Sequence, residues 1–363
     1  MHKHIPLLFL AATIVGCKKD DDPPPANNGG GNNTGGGDSP GNVYVCGAVN
    51  TGGSTDWYPR WWKDGVQHVV GDGRRGNAHA IWANDQQVVI AGMVYDGSLM
   101  MPCYWVNDDL IELNTYACGD CRAEDVFVVG TNDVHVAGHV RLDDQFDITQ
   151  KAMYWNNGVG MDLTDGQHDA RAYGVFVANG DVYVCGYEKD ENNVDKVAKY
   201  WVNGVPVVLG DGDNDSEANA IWVENGTVYV AGYEEADPLN MGNYEERPVL
   251  WVNGVRDLLS PHPGNAEGLF VNDGEVHVIG YTQPFSAPSN NIATRWVNGA
   301  PIWIHTTFPP QYGSLGRDIF VHDGEVHTVM SYFGVTGSLG HHANNTAQTD
   351  DFLGNVAWGI HIH

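Results

Sequence analysis

Alternating carboxylates are the first feature of this sequence with the spacing of a ligand site. Asp211, Asp213 and Asp215 occupy every second position in the segment DGDNDSE. Carboxylates at this spacing can converge on a hard cation such as Ca²⁺, which prefers several oxygen ligands. The glutamate that completes an EF-hand loop is missing at its usual distance, and a solvated acidic loop explains the same residues. We therefore predict a candidate calcium site here, with a plain acidic loop as the alternative.

Two cysteines separated by two residues form a second candidate site, Cys118 and Cys121 in the segment CGDC. Zinc sites of this type usually combine two such pairs, and the sequence contains only this one. An oxidising compartment favours a disulfide between cysteines so placed. The sequence thus favours a local disulfide, with a metal or redox site as the alternative.

The sequence contains no G-x-S-x-G, H-E-x-x-H or phosphate-loop motif. These motifs place nucleophiles, zinc ligands or phosphate-binding amides at fixed spacing, so the common enzyme classes that depend on them are not indicated. No catalytic arrangement stands out in the sequence.

The elements that carry these residues are copies of one repeat. Glycines that end a valine-rich segment, such as Gly138 and Gly186, follow one another at intervals of 45, 46, 48, 46 and 48 residues. A second series, of tryptophans usually followed by Val-Asn-Gly, comprises Trp62, Trp105, Trp155, Trp201, Trp251 and Trp296. A third series has the pattern Ala-x-x-apolar-aromatic, as from Ala172 to Phe176.

Each repeat is predicted to form four short strands, A to D, because valine, isoleucine and aromatic residues alternate with turn residues. Asn-Gly or Asp-Gly separates strand A from B and strand C from D, as at Asn179-Gly180 and Asn203-Gly204, which favours tight hairpins. Units of this length with four antiparallel strands are typical of β-propeller blades. We predict an all-β chain folded as a β-propeller, with seven blades as the preferred count and six as the fallback.

The C-terminal segment can close such a ring in two ways. Residues 357–362, AWGIHI, match the strand-A segment 172–177, AYGVFV, while the first repeat begins without a strand A. The C-terminal segment is therefore predicted to be the inner strand of the first blade. In the alternative alignment, Trp358 is the seventh strand-C tryptophan and the last blade has three strands.

The repeat resembles the bacterial extracellular HAF repeats. The resemblance rests on units such as residues 197–204, VAKYWVNG, and covers residues 43 to about 330. It implies an extracellular propeller-like repeat and carries over no catalytic residue.

In a propeller, strand A lines the central channel, and its early positions here are polar. A ring of such side chains could bind a small ligand at the channel mouth, with a water-filled channel as the favoured alternative. The candidates are His79, Glu124, Asp125, Tyr173, Asn219, Glu267, Arg317 and Asp318.

The B–C and D–A connections must share one face of the disc, and most of the acidic residues fall in them. Variable loops on a rigid scaffold commonly bind partners, although solvation alone explains charged loops. Trp57 is predicted to lie on one of these loops as an exposed aromatic contact. The acidic candidates are Asp143, Asp144, Glu188, Glu234 and Glu235.

The N-terminus predicts export and lipidation. Residues 1–16 have a basic start and an apolar run too short to span a bilayer, and Cys17 follows Val15 and Gly16. This resembles the bacterial lipobox, which implies acylation of Cys17; an ordinary signal peptide is the alternative. The next residues, KKDDD, resemble the export tag of Bacteroidota-type surface lipoproteins. Residues 17–41 read as a flexible tether, and residues 42–363 as one propeller domain.

The amino-acid composition argues against two classes of binding partner. The chain carries 18 basic and 46 acidic residues, a formal charge of −28, which opposes binding to nucleic acid and to anionic lipid headgroups. We expect an outer-membrane lipoprotein exposed at the cell surface, held by its lipid anchor alone. It would use the acidic loop face to bind a surface protein or a surface glycan. The alternative is a carbohydrate-active enzyme, lyase or hydrolase, with its site at the channel mouth.

Overall fold

The computed structural model describes residues 42–50, 56–113, 118–143, 148–236, 245–283, 291–304, 313–332, 338–343, 346–347 and 355–362. All of the regular structure within these ranges is β-strand. In the part of the chain so described, we find no helix long and apolar enough to cross a membrane.

The first fifteen strands are β1 (Val43–Asn50), β2 (Trp57–Lys63), β3 (Val66–Val69), β4 (Gly76–Ala83), β5 (Val88–Asp96), β6 (Leu99–Val106), β7 (Asp109–Glu112), β8 (Arg122–Val129), β9 (Asp133–Asp143), β10 (Ile148–Asn156), β11 (Val159–Asp162), β12 (Ala170–Ala178), β13 (Asp181–Lys189), β14 (Lys196–Val202) and β15 (Val205–Val208). The others are β16 (Ser216–Glu224), β17 (Thr227–Ala236), β18 (Glu245–Val252), β19 (Val255–Leu258), β20 (Gly264–Asn272), β21 (Glu275–Thr282), β22 (Ile292–Val297), β23 (Ala300–Trp303), β24 (Ser314–His322), β25 (Glu325–Tyr332), β26 (Ser338–Ala343), β27 (Thr346–Ala347) and β28 (Asn355–Ile362).

These strands form successive four-stranded antiparallel sheets. Sheet 1 has the order β28-β1-β2-β3, and sheets 2 to 7 each take the next four strands of the chain, from β4–β7 to β24–β27. The inner strand of each sheet contacts that of the next, and the series closes because β28 contacts both β24 and β4. This circular arrangement of four-stranded sheets is the β-propeller architecture.

The closure of the ring confirms the preferred alignment of the C-terminal segment. β28 pairs antiparallel with β1 over Val43–Val49, so the last strand of the chain is the inner strand of the first sheet. The alternative alignment is wrong, because β26 holds the third position of sheet 7 and Trp358 lies within β28.

The hairpins form where Asn-Gly and Asp-Gly predicted them. Asn203 and Gly204 have φ angles of 49° and 82°, which tight two-residue turns require and which Asn and Gly adopt at low cost. The Asn203 side chain also accepts a hydrogen bond from the Val182 amide at 2.9 Å. The A–B and C–D turns therefore share one face of the disc, the hairpin face. The B–C and D–A connections share the other, the loop face.

The repeated tryptophans pack inside the ring, as their equivalent positions predicted. Each is at most 2% exposed: Trp62, Trp105, Trp155, Trp201, Trp251 and Trp296. A second set of rings, from Phe127 through Phe176, Trp222 and Phe270 to Phe320, connects successive inner strands at centroid distances of 4.7–4.9 Å. Burial of large aromatic surface between neighbouring sheets stabilises the ring.

The repeated glycine has a steric cause. In the second strand of sheet 5, a Cβ on Gly232 would overlap the backbone carbonyl oxygen of Glu217. In the second strand of sheet 4, a Cβ on Gly186 would overlap the carbonyl oxygen of Arg171. These carbonyls lie just before a β-bulge in the inner strand. Glycine thus permits the close approach of the two strands at the point where the bulge turns a side chain inward.

Candidate functional site

A bulge at one level of the inner strands places the predicted channel residues. The pairing register shifts by one residue at the same point in sheets 2 to 7. The residues within these bulges are His79, Glu124, Tyr173, Asn219, Glu267 and Arg317. All of them are buried except Arg317, whose side chain is 12% exposed.

Asp125 and Asp318 have a different role from the one the sequence suggested. Each is fully buried. The Asp125 carboxylate accepts hydrogen bonds from its neighbour Val126 and from Val175 of the next sheet, both at 2.7 Å. Because these oxygens bind backbone amides of two sheets, Asp125 holds sheets together and does not line the channel mouth. Asp318 does the same, with amides at 2.7 and 2.9 Å, the second from β28.

Two histidines flank the buried carboxyl of Glu124. Its oxygens lie 3.4 Å from Nδ1 of His79 and 3.5 Å from Nδ1 of His139. Burial raises the pKa of Glu124 and lowers the pKa of each histidine to about 4. The low dielectric of this site therefore disfavours charge on all three groups.

Beside the bulges, four successive sheets carry polar cross-strand pairs in one register. The pairs are Arg122–His139, Arg171–Tyr187, Glu217–Tyr233 and Asn265–Tyr281. Sheets 2 and 7 have less polar pairs at the same place, Asn77–Met93 and Leu315–Ser331. Gln150, Lys196 and Glu246 on the third strands of sheets 3 to 5 contact this series. The eight residues of the four polar pairs and these three third-strand residues make eleven, which we call the polar arc. Because the inner strands start at the D–A connections, the arc lies at the loop-face end of the channel.

A hydrogen-bonded network forms one half of the arc. Asp120 accepts a hydrogen bond from Nε2 of Gln150 on Oδ2 at 2.9 Å. It also forms ion pairs with Arg122, whose Nη2 lies 2.9 Å from Oδ1, and with Arg171, whose Nη2 lies 3.7 Å from Oδ2. Arg171 of sheet 4 also donates a hydrogen bond to the side chain of Gln150 in sheet 3, so this contact joins the two sheets. Burial alone would raise the pKa of Asp120, but the neighbouring His139, Arg122 and Arg171 outweigh it and hold this pKa well below its usual range.

Carboxyls and tyrosines form the other half. Lys196 of sheet 4 pairs with Glu217 of sheet 5, and the Lys196 ammonium lies 5.3 Å from the ring centre of Tyr187. Tyr281 of sheet 6 donates to Glu246 of sheet 5 at 3.3 Å. Burial, together with the nearby carboxylates of Glu217 and Glu267, raises the pKa of Glu246 to about 7. The arc thus combines a carboxylate paired with lysine and a carboxyl whose pKa lies near neutral pH.

The disulfide lies next to this network. Cys118 and Cys121 form a disulfide, and both residues are fully buried. Asp120 lies between them in the chain, so the cross-link constrains the loop that presents the Asp120 carboxylate to Arg122 and Arg171.

Two of the acidic residues predicted on the loop face are paired with basic residues within the chain. Glu188 pairs with Lys199 at 2.6 Å, and Glu234 pairs with Arg256. Burial and the nearby Asp215 carboxylate raise the pKa of Glu235. Asp143 is the last residue of β9, and Asp144 lies outside the described residues.

Trp57 is not on a loop. It is the first residue of β2, pairs with Asn50 of β1 and is half-buried. Trp57 lies at the opposite end of β2 from Trp62, so it does not match the spacing of the repeated tryptophans.

The alternating aspartates do not converge. Asp211 accepts a hydrogen bond from the Asp213 amide at 3.1 Å, and Asp215 accepts one from the Lys196 amide at 2.8 Å. Within the described ranges, no group of three or more His, Cys, Asp or Glu side chains is placed to hold a metal ion. Calcium binding therefore stays a prediction. Cys17 lies outside the described residues.

The sequence contained a signal for the arc that the motif search missed. The inner-strand members immediately precede the repeated alanine, as Arg171 precedes Ala172, and the second-strand members immediately follow the repeated glycine, as Tyr187 follows Gly186. Comparing these two offsets among repeats identifies the polar sheets, because the register is the same in each.

Comparisons with known proteins give resemblance of fold only. No protein-family model and no curated protein matches the chain. Hydrazine synthase of Kuenenia stuttgartiensis is 9% identical with a TM-score of 0.49; the match covers 90% of this chain, which spans only 46% of the length of that one. The polysaccharide lyase Uly1 is 10% identical over 81% of this chain and 85% of the other, with a TM-score of 0.46. The Bombyx mori GH32 beta-fructofuranosidase BmSUC1 is 11% identical over 71% of this chain and 80% of the other, with a TM-score of 0.35.

Proposed function

We propose that this chain is a lipid-anchored, seven-bladed β-propeller of a bacterial cell surface that binds a saccharide at the polar arc. The seven four-stranded sheets support this blade count. The lipobox-like segment before Cys17 and the acidic residues after it support the anchor and the surface location. The propeller would hold the arc on a rigid scaffold at one end of its channel.

The observation that carries this proposal is the common register of the polar pairs in four successive sheets. Saccharides present many hydroxyl groups, and their recognition needs donors and acceptors that converge on one place. The arc offers guanidinium and ammonium donors, carboxylate acceptors and tyrosine rings, which contribute apolar surface as well as hydroxyls. Its side chains are reachable in part: those of Arg171 and Lys196 are 23% and 29% exposed.

A second candidate function, cleavage of the bound saccharide, is favoured by the pair Glu246 and Glu217. A carboxyl whose pKa is raised towards neutrality suits an acid role. Glu246 would donate a proton to the leaving oxygen, because its pKa of about 7 lets it carry a proton near neutral pH. Glu217, paired with Lys196, would act as the base or nucleophile.

Docking of a surface protein on the acidic loops has less support. Glu188 and Glu234 pair with basic residues of their own sheets, so they contribute little net charge to a partner. A protein partner remains an outcome of the test below.

The test exposes the full chain to a panel of neutral and acidic polysaccharides and measures both binding and release of new chain ends. We expect at least one polysaccharide to bind. Glu246→Gln should lose cleavage, whereas Glu245→Gln, its half-exposed neighbour, should behave as the wild type. If no polysaccharide binds while a surface protein is captured from outer membranes, the saccharide proposal is wrong.

A further inference from the structure

A cavity lies between sheets 6 and 7 on the hairpin face, away from the polar arc. Its volume is about 460 Å³, within the range of small-molecule sites in proteins. The residues that line it are Asn272, Glu275, His277, Arg295, Val297, Ile302, Val321, Gly324 and Val326.

Arg295, which lines this cavity, differs in residue type from the residues at its position in sheets 1 to 5. It immediately precedes the buried tryptophan of its third strand. The residues at the same position in sheets 1 to 5 are Trp61, Tyr104, Tyr154, Tyr200 and Leu250. A bulky apolar or aromatic side chain fills this place in each of those sheets, and sheet 6 has a guanidinium instead.

Sheet 3 shows what the equivalent pair of residues does elsewhere. There, His135 and Tyr154 are hydrogen-bonded through Nδ1 and the phenol oxygen at 2.6 Å. Sheet 6 has His277 and Arg295 at these two positions. Since arginine donates only, it cannot accept a hydrogen bond from the imidazole as the tyrosine oxygen can.

Both side chains line the cavity and keep hydrogen-bonding atoms without a partner in the protein. Arg295 is 9% exposed and His277 is 5% exposed. Nε and Nη1 of Arg295 and Nδ1 of His277 are buried and make no hydrogen bond within the protein. Glu275 lies 3.7 Å from the other imidazole nitrogen of His277, but its side chain is 55% exposed and leaves Nδ1 unpaired. A buried guanidinium with unmade hydrogen bonds is costly unless an anion meets it.

We propose that this cavity binds the carboxylate of a small organic acid, with Arg295 and His277 as its anion-binding donors. Charge-assisted hydrogen bonds to a carboxylate would satisfy the unused atoms of Arg295. Val297, Ile302, Val321 and Val326 form an apolar part of the lining, beside Asn272 and the half-exposed Glu275. This apolar part matches the body of an organic acid and gives nothing to an inorganic anion.

The test is calorimetric titration of the full chain with benzoate and cyclohexanecarboxylate, each compared with its neutral amide and with inorganic phosphate. We expect the carboxylates to bind and the amides to bind at least about 10-fold more weakly, because the charge-assisted bonds are lost. If neither carboxylate binds, or if the amides bind equally well, the proposal is overturned. Tighter binding of phosphate would overturn the assignment to organic acids.

Arg295→Tyr is the matched variant, because tyrosine occupies this position in sheets 2, 3 and 4. It should keep or raise the melting temperature and abolish carboxylate binding. Arg295→Met, which preserves length without charge, tests the same loss if the tyrosine variant does not fold. Arg75→Gln, on the surface, should bind as the wild type does. Undiminished binding by Arg295→Tyr or Arg295→Met would refute the proposal.

Discussion

The carboxylate of Asp318 accepts a hydrogen bond from the backbone amide of Ile360 at 2.9 Å. This bond joins the inner strand of sheet 7 to the C-terminal strand, which belongs to sheet 1. Asp125 makes the same bond to Val175 between sheets 3 and 4 at 2.7 Å. The hydrogen bond that joins the last sheet to the first is therefore of the same kind as the one that joins sheets 3 and 4, which follow each other in the chain.

Asp318→Ala should destabilise the propeller by about 2–4 kcal/mol, because two buried backbone amides, those of Ile319 and Ile360, lose their acceptors. Urea unfolding of the full chain measures this. The control is Asp257→Ala, at an exposed position of β19, which should change stability by less than about 0.5 kcal/mol. Equal effects of the two substitutions would mean that the carboxylate does not hold the closure.

Stability should fall as the pH rises towards and through about 7, in part because of Glu246. Burial and the carboxylates of Glu217 and Glu267 raise its pKa from 4.5 to about 7. The folded state thus binds a proton more tightly than the unfolded state does, so this contribution is full below about pH 4.5 and lost above about pH 7. Glu246→Gln should flatten that part of the profile, as measured by unfolding at a series of pH values. A profile identical to that of the wild type would contradict the assignment.

Loss of the disulfide should loosen the Asp120 network. In the chain-entropy picture, the short Cys118–Cys121 cross-link contributes about 2 kcal/mol. The double variant Cys118→Ala/Cys121→Ala should therefore lower the melting temperature and weaken saccharide binding at the arc. Cys185→Ala is a control for loss of a buried cysteine outside the disulfide. If binding is unchanged in the double variant, the loop does not need the cross-link to present Asp120.

Calcium binding at Asp211, Asp213 and Asp215 has a simple test. If the segment binds Ca²⁺, adding a chelator lowers the melting temperature of the wild type and has no effect on Asp213→Ala. If the segment is only a solvated loop, the chelator leaves both proteins unchanged.

The strands, the hairpins and the ring closure could be predicted from the sequence because each depends on a short local pattern that recurs in several repeats. Asn203-Gly204 specifies its turn, Trp201 its buried position, and residues 357–362 copy an inner strand. The arc was harder to foresee, since its contacts join different sheets. Gln150 contacts Arg171, and Lys196 contacts Glu217, because neighbouring sheets pack against each other. Asp125 was misassigned for the same reason, because its partner Val175 belongs to the next repeat.

The most direct test of the central claim is hydrogen exchange of the full chain with and without a saccharide that it binds. The account predicts slower exchange at the polar arc, in peptides that contain Arg171, Glu217 and Glu246. The hairpin face, such as Asn203-Gly204, should be unchanged and serves as the internal control. Protection confined to the hairpin face or to the acidic loop at residues 190–195, with the arc unaffected, would contradict the account.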